Sequence, residues 1–260
     1  MLHFWNGNKS SARQSYELDL LTSCLRAAGV QEPLFDDRTD RPKAEDEGNV
    51  FNQGSDVLVT VAGNEKFEDQ DKIIVPHPLA KGLLGIRILL IEKSQQQHFQ
   101  KHFSQKHLQS MAIGIPETWV DAELFRQNDY LVNEKGSFEQ LFAFIENGEF
   151  DYSALGANEI EEIVKAQQNQ YPDVGIESSL ILYYPYPLLF YVNVNKPELA
   201  QHIEQGLLKL QQSGEFDQIF FKHHGDVVKR LNLHHRKVIT LKNPFLPDQF
   251  KDFHSPLLAP

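Results

Sequence analysis

Apolar positions along this chain switch repeatedly between the period of a strand and that of a helix. Leu2-His3-Phe4-Trp5 reads as a short strand. Tyr16 to Ala28 carries Leu18, Leu21, Leu25 and Ala28 at helical spacing and stops at Gly29. A weak strand at Leu34-Phe35 leads into the acidic stretch Asp36 to Gly48, too charged for a strand and expected to feed a solvated helix that ends near Gly54. Strands follow at Asp56 to Thr60 and Ile73 to Val75, and Pro76-His77-Pro78 imposes an extended path into the apolar run Leu83 to Ile91. The segment after Lys93 is polar and glutamine-rich, with His98, His102 and His107, and reads as a linker. Beyond it come strands at Ala112 to Ile115, Tyr130 to Asn133, Phe150 to Ser153 and Val174 to Ile176. Helices alternate with them at Trp119 to Gln127, Phe138 to Glu146 and Asn158 to Gln168. An aromatic run, Leu180 to Val194, is broken by Pro185 and Pro187. Pro197 then opens a long amphipathic helix with Leu199, Ile203, Leu207 and Leu210 on one face. This alternation predicts an α/β fold, and no fixed-period repeat is present.

The 260 residues suit one large domain or two lobes. Lysine and arginine number 25 against 36 acidic residues, a net charge of −11, so nucleic acid and anionic lipid are poor partners for the surface as a whole. Lys222 to Lys242 is locally basic and reads as a solvated face. The one cysteine, Cys24, excludes an intramolecular disulfide and sits in an apolar helical pattern as a buried thiol. No run approaches the ~18 apolar residues that span a bilayer, and the chain opens without a basic and apolar leader, so a secretory signal is either absent or removed. His98 and His102 are four apart, and His223-His224 and His234-His235 are pairs. No acidic or third ligand stands at a recognisable spacing, so no metal and no cofactor are expected. Nucleophile-elbow, phosphate-loop and Rossmann glycine signatures are absent.

Several motifs together carry a resemblance. Asn193-Val194-Asn195-Lys196-Pro197-Glu198-Leu199 is followed by Ile203, Leu207, Ser213-Gly214-Glu215-Phe216, Ile219, Lys222 and Gly225. Gly114-Ile115-Pro116-Glu117-Thr118-Trp119 with Leu124, then Asn147-Gly148-Glu149-Phe150-Asp151, and Asp56 to Lys66 with Pro78, complete the set. In this order they resemble the family-3 extracellular solute-binding proteins, as a divergent branch of the polar amino-acid transporter receptors. The resemblance implies a periplasmic-binding-protein type 2 architecture, two-lobed, with two crossing strands forming a hinge. The residues independently suggest crossings near Leu83 to Lys93 and Ile181 to Tyr191. The first lobe is therefore expected at residues 1–92 plus 184–260, with the tail extended over it, and the inserted second lobe at 93–183. Ligands of open α/β sheets lie beyond the carboxyl ends of strands, which places a candidate site in the cleft between lobes.

In the resembled family an arginine shortly after the strand ending near Thr60 holds the ligand carboxylate; here Glu65-Lys66 stands in its place, and lysine lacks the bidentate fork. Thr118 matches the second anion contact, and capping of the Trp119 helix is its other reading. In the resembled family the ligand ammonium is bound by an aspartate whose position here is Gly156, and with the arginine also replaced by Lys66 ordinary α-amino acids are not expected to be preferred; Glu159, one helical turn on, is the side chain that would reverse this by reaching back to the same point. Tyr16 and Trp119 are either ligand-stacking or packing aromatics. Asp121 and Tyr184 join Thr60, Lys66, Thr118 and Glu159 as candidate ligand-binding residues. Arg87, alone in an apolar strand, is either a cleft cation or a member of a structural pair.

The expected function is a monomeric periplasmic receptor that captures a small polar, anionic ligand for a membrane transporter permease. A sensor read by a signalling partner is the alternative. A dehydratase or lyase on the same scaffold is the third reading, with Glu117, Asp121 or Glu159 as its carboxylate.

Overall fold

The computed structural model describes residues 1–101, 104–117 and 119–259. Along the chain, Met1–Ala80 contains β1 (Leu2–Trp5), α1 (Ser11–Ala27), β2 (Leu34–Asp37), α2 (Ala44–Gly48), β3 (Val57–Val61) and β4 (Lys72–Val75). Lys81–Tyr186 contains β5 (Ile86–Glu92), α3 (Gln96–Lys101), α4 (Gln105–Gln109), β6 (Ala112–Ile115), α5 (Asp121–Arg126), β7 (Leu131–Glu134), α6 (Leu141–Glu146), β8 (Ser153–Gly156), α7 (Ile160–Gln167), β9 (Val174–Ile176) and β10 (Leu180–Tyr183). Pro187–Asp226 holds β11 (Leu188–Asn193), α8 (Pro197–Ser213) and α9 (Glu215–His224), and the tail holds α10 (Val227–Arg230) and β12 (Lys237–Thr240).

Two compact units divide these segments: Met1–Ala80 with Pro187–Asp226, and Lys81–Tyr186 with Val227–Pro260. The first is built on a five-stranded sheet in the order β2-β1-β3-β11-β4. β1 pairs in parallel with β2 and β3, whereas β11 runs antiparallel to both β3 and β4. The returning segment thus supplies the strand that joins β4 to the rest. α1 and α8 pack together so closely that a Cβ on Gly206 would lie 2.0 Å from the Cys24 carbonyl oxygen. α8 buries the Leu199, Ile203, Leu207 and Leu210 face that its periodicity predicted.

Cys24 is fully buried at this contact, and burial pushes its thiol up to about 12. At pH 8 a thiol reagent is expected to label the protein only as fast as this unit opens. A stoichiometric reaction within seconds of mixing under native conditions would contradict that.

The second unit has a sheet in the order β12-β10-β5-β8, with β9 paired to β5, and a smaller parallel pair, β6 with β7. β12 lies parallel to β10 over Leu180 to Tyr183, and the Tyr183 hydroxyl accepts a hydrogen bond from Ser255 N at 2.8 Å. Residues 227–260 therefore belong to the second unit, not to the first lobe as expected from sequence. β5 also belongs to the second unit, because its partners β8, β9 and β10 all lie there. The chain changes unit after residues 80, 186 and 226, three times where the sequence suggested two crossings.

Two further differences have plain causes. The polar segment after Lys93 is no linker: it forms α3 and α4, whose Phe99 and Leu108 are buried in the second unit's core with Leu89, Ile91 and Tyr152. The strand expected at Phe150 to Ser153 starts three residues later. Phe150 instead fills the space beside Gly114, and Asp151 accepts a hydrogen bond from Ala112 N at 2.6 Å before β8 pairs with β5.

Candidate functional site

In the second unit a polar cluster forms on one face of β5 around Arg87, which is 4% exposed. Its Nη2 donates to both Asp121 oxygens, at 3.1 and 3.3 Å, and its guanidinium carbon lies 5.3 Å from the Tyr184 ring centroid and 5.8 Å from that of Tyr186. The Tyr184 hydroxyl also donates to Asp121 Oδ1. Burial alone would lower the arginine's pKa. The Asp121 carboxylate, then Tyr184, Glu159 and Tyr186, outweigh it and raise that pKa above its ordinary value, so Arg87 is a permanent cation. Burial likewise drives the Tyr184 hydroxyl well above its usual range and keeps it a neutral donor.

Arg87 is opposite Gly156 in the antiparallel β5–β8 register, so the two residues share a face of the sheet. A Cβ on Gly156 would lie 2.4 Å from Asn158 Oδ1 and 3.2 Å from Glu159 Oε1. Those two side chains therefore fold back from the start of α7 over the place beside Arg87 that a larger residue would fill. Arg87 Nε and Asn158 Oδ1 are buried and have no hydrogen-bond partner among the described residues. Unsatisfied buried polar atoms are uncommon, and here an open donor and an open acceptor occur in one cluster. Counting Arg87, Asp121 and Glu159 at neutral pH, two carboxylates accompany one guanidinium.

The first unit carries its own polar cluster, at the carboxyl end of β1. Lys9 Nζ donates to Glu17 Oε2 at 2.6 Å, and Arg13 donates to Glu17 Oε1 through Nε at 2.9 Å and Nη2 at 2.7 Å. Asn6 donates to Asp36 Oδ1 at 2.9 Å and accepts from Lys9. Burial lowers the Lys9 pKa, with Glu17 opposing it. Glu47 accepts from Lys66 Nζ at 2.9 Å and from Asn8 Nδ2 at 2.6 Å.

No family model and no curated protein sequence matches the chain. Solved structures do. A periplasmic His/Glu/Gln/Arg/opine family-binding protein from Silicibacter pomeroyi, in complex with lysine, superposes with a TM-score of 0.59 at 10% identity over 87% of this chain and 98% of its own. A Salmonella typhimurium periplasmic binding protein of high arginine specificity gives 0.57 at 14% identity, covering 85% and 97%. The arginine-, lysine-, histidine-binding protein of Geobacillus stearothermophilus gives 0.55 at 14% identity, covering 89% and 99%. The chain has the fold of the periplasmic amino-acid-binding proteins. The α/β architecture expected from the sequence, and its resemblance to family-3 solute-binding proteins, agree with these structural neighbours.

On this binding-protein fold the sequence-derived candidates separate. Asp121, Glu159 and Tyr184 come together around Arg87. Trp119 is half-buried and stacks on Phe138, with centroids 5.9 Å apart and planes at 17°. Thr118 lies outside the described residues. Tyr16 is a core residue: its hydroxyl donates to the Leu79 carbonyl and its ring meets Phe220 and His224, which leaves it no face for a ligand. Thr60 is buried and accepts from Asn64 Nδ2 at 2.7 Å. Lys66, with 35% of its side chain exposed, is held by Glu47 rather than standing as a free cation. Arg87 pairs with Asp121 through Nη2 and keeps its Nε open, which fits both of its readings. Sequence reasoning missed Lys9, Glu17 and Asn158. For the first two a signal existed: Arg13 and Glu17 are four apart in the helix that follows the first strand, where such a fold gathers its polar groups.

Proposed function

We propose that the protein is a solute receptor that binds a small polar ligand at the Arg87–Asp121–Asn158–Glu159–Tyr184 cluster and serves a membrane transporter in the periplasm. The single observation that carries this reading is the pair of open polar atoms, Arg87 Nε and Asn158 Oδ1, inside that cluster on a binding-protein fold. The anionic reading rested on Lys66, whose charge is met by Glu47, together with the start of the Trp119 helix, where Thr118 lies outside the described residues. Two carboxylates beside one guanidinium favour instead a ligand that presents a cationic or hydrogen-bond-donating group. Glu159, folded back over Gly156, supplies a carboxylate at the point where the resembled receptors carry aspartate, so α-amino acids return as candidate ligands. Two structural neighbours, one in complex with lysine and one of high arginine specificity, are in keeping with this chemistry.

Titration calorimetry against lysine, arginine, histidine, glutamine, glutamate and a dicarboxylate tests it. Binding is expected for basic or amide-bearing members, with Glu159→Gln weakening it by about tenfold, the scale of one charge-assisted hydrogen bond of ~1.5 kcal/mol. Preference for the dicarboxylate would restore the anionic reading, and affinity unchanged in Glu159→Gln would remove Glu159 from the site.

A further inference from the structure

Two histidines outside that cluster converge on one point. His98 on α3 and His107 on α4 are both half-buried, their ring centroids are 5.1 Å apart with planes at 54°, and their Nε2 atoms are separated by 3.1 Å. The backbone beneath each is anchored. Phe99 and Leu108, the next residue in each case, are buried in the core, the Leu108 carbonyl accepts from the Tyr152 hydroxyl at 3.0 Å, and Ser104 Oγ caps α4 by accepting from His107 N at 3.1 Å.

Two imidazole nitrogens bound to one metal ion at ~2.0–2.1 Å lie about 3 Å apart at a right angle and about 3.4 Å apart at a tetrahedral angle. The observed separation falls between those values. The metal-free alternative is one N–H···N bond between neutral rings, which needs complementary tautomers. Spacing explains why the sequence did not show the pair: the partner of His98 is nine residues on, in the next short helix, rather than at His102, which lies outside the described residues.

We propose that His98 and His107 together bind a borderline divalent transition-metal ion of the zinc, nickel or copper class. Imidazole donors suit these ions and not magnesium or calcium. The site stands apart from the solute-binding reading and does not depend on it.

Zinc chloride titrated into the full chain in a non-coordinating buffer tests the proposal. One ion per chain is expected, reversed by chelator, with affinity falling at least ~10-fold in His98→Gln and in His107→Gln and unchanged in His202→Gln. In the unmodified protein, the ring-nitrogen NMR signals of His98 and His107 are expected to shift on zinc addition. That arm decides the matter even if a variant fails to fold. Zinc that leaves both signals in place, or binds with the same affinity in both variants, overturns the proposal.

Discussion

Asp121→Ala is expected to cost the second unit about 3–5 kcal/mol, because it strands a buried guanidinium without its counter-ion. Arg87 has no other anion within hydrogen-bond distance among the described residues, and the Tyr184 hydroxyl loses its acceptor in the same step. Arg87→Leu combined with Asp121→Leu removes both charges together and is expected to be less destabilising than Asp121→Ala alone, since the desolvation cost of the ion pair disappears with it. Urea unfolding of the three proteins makes the comparison. A double variant no more stable than Asp121→Ala would show that packing around the guanidinium, and not its charge, holds this part of the sheet.

Glu17→Ala should be comparably severe in the first unit, again about 3–5 kcal/mol, since Glu17 is fully buried and serves Lys9 and Arg13 at once. Its pH dependence has a definite sign. Burial lowers the folded-state pKa of Lys9 below that of the unfolded chain, so the unfolded state binds the proton more tightly. The resulting cost is fully present below the folded pKa and fades as pH rises from that value to the unfolded one, near 10.5. Without Glu17, which pushes the pKa up, that window widens downward. Stability of Glu17→Ala relative to the parent is therefore expected to recover as pH is raised toward 10, measured by urea midpoints across that range; a deficit that does not shrink would place the damage in packing.

The architecture was legible because strand and helix periods differ and because prolines and glycines punctuate them. Pro197 and Gly214 bound α8 as expected. What the sequence concealed was pairing between distant segments. The polarity of 93–111 hid two helices, although Phe99 and Leu108 are buried in the core and Met111 packs against it. The tail looked like a strap because a four-residue edge strand with one buried position, Ile239, has no period to read. Among the candidate residues, Asp121, Glu159 and Tyr184, named from the sequence as ligand contacts, lie together around Arg87. For Lys66 and Tyr16 the sequence left two readings each, since whether a lysine meets a glutamate nineteen residues away, or a tyrosine turns inward, is settled by tertiary contact. Gly156 was counted as a missing aspartate, and its lack of a side chain is what leaves room for Asn158 and Glu159.

The order in which strands enter the first sheet bears on synthesis. While a ribosome is still making residues 81–186, β2, β1 and β3 are complete but β3 has one unpaired edge, and β4 has no partner. At about 5–20 residues per second, β11 follows β4 by on the order of ten seconds. Throughout that interval the nascent chain presents Val57-Leu58-Val59-Thr60-Val61, a β-branched and apolar edge with no charge to guard it. Early withdrawal of a holding chaperone, or a stall between β4 and β11, would leave this edge open to pairing with another chain.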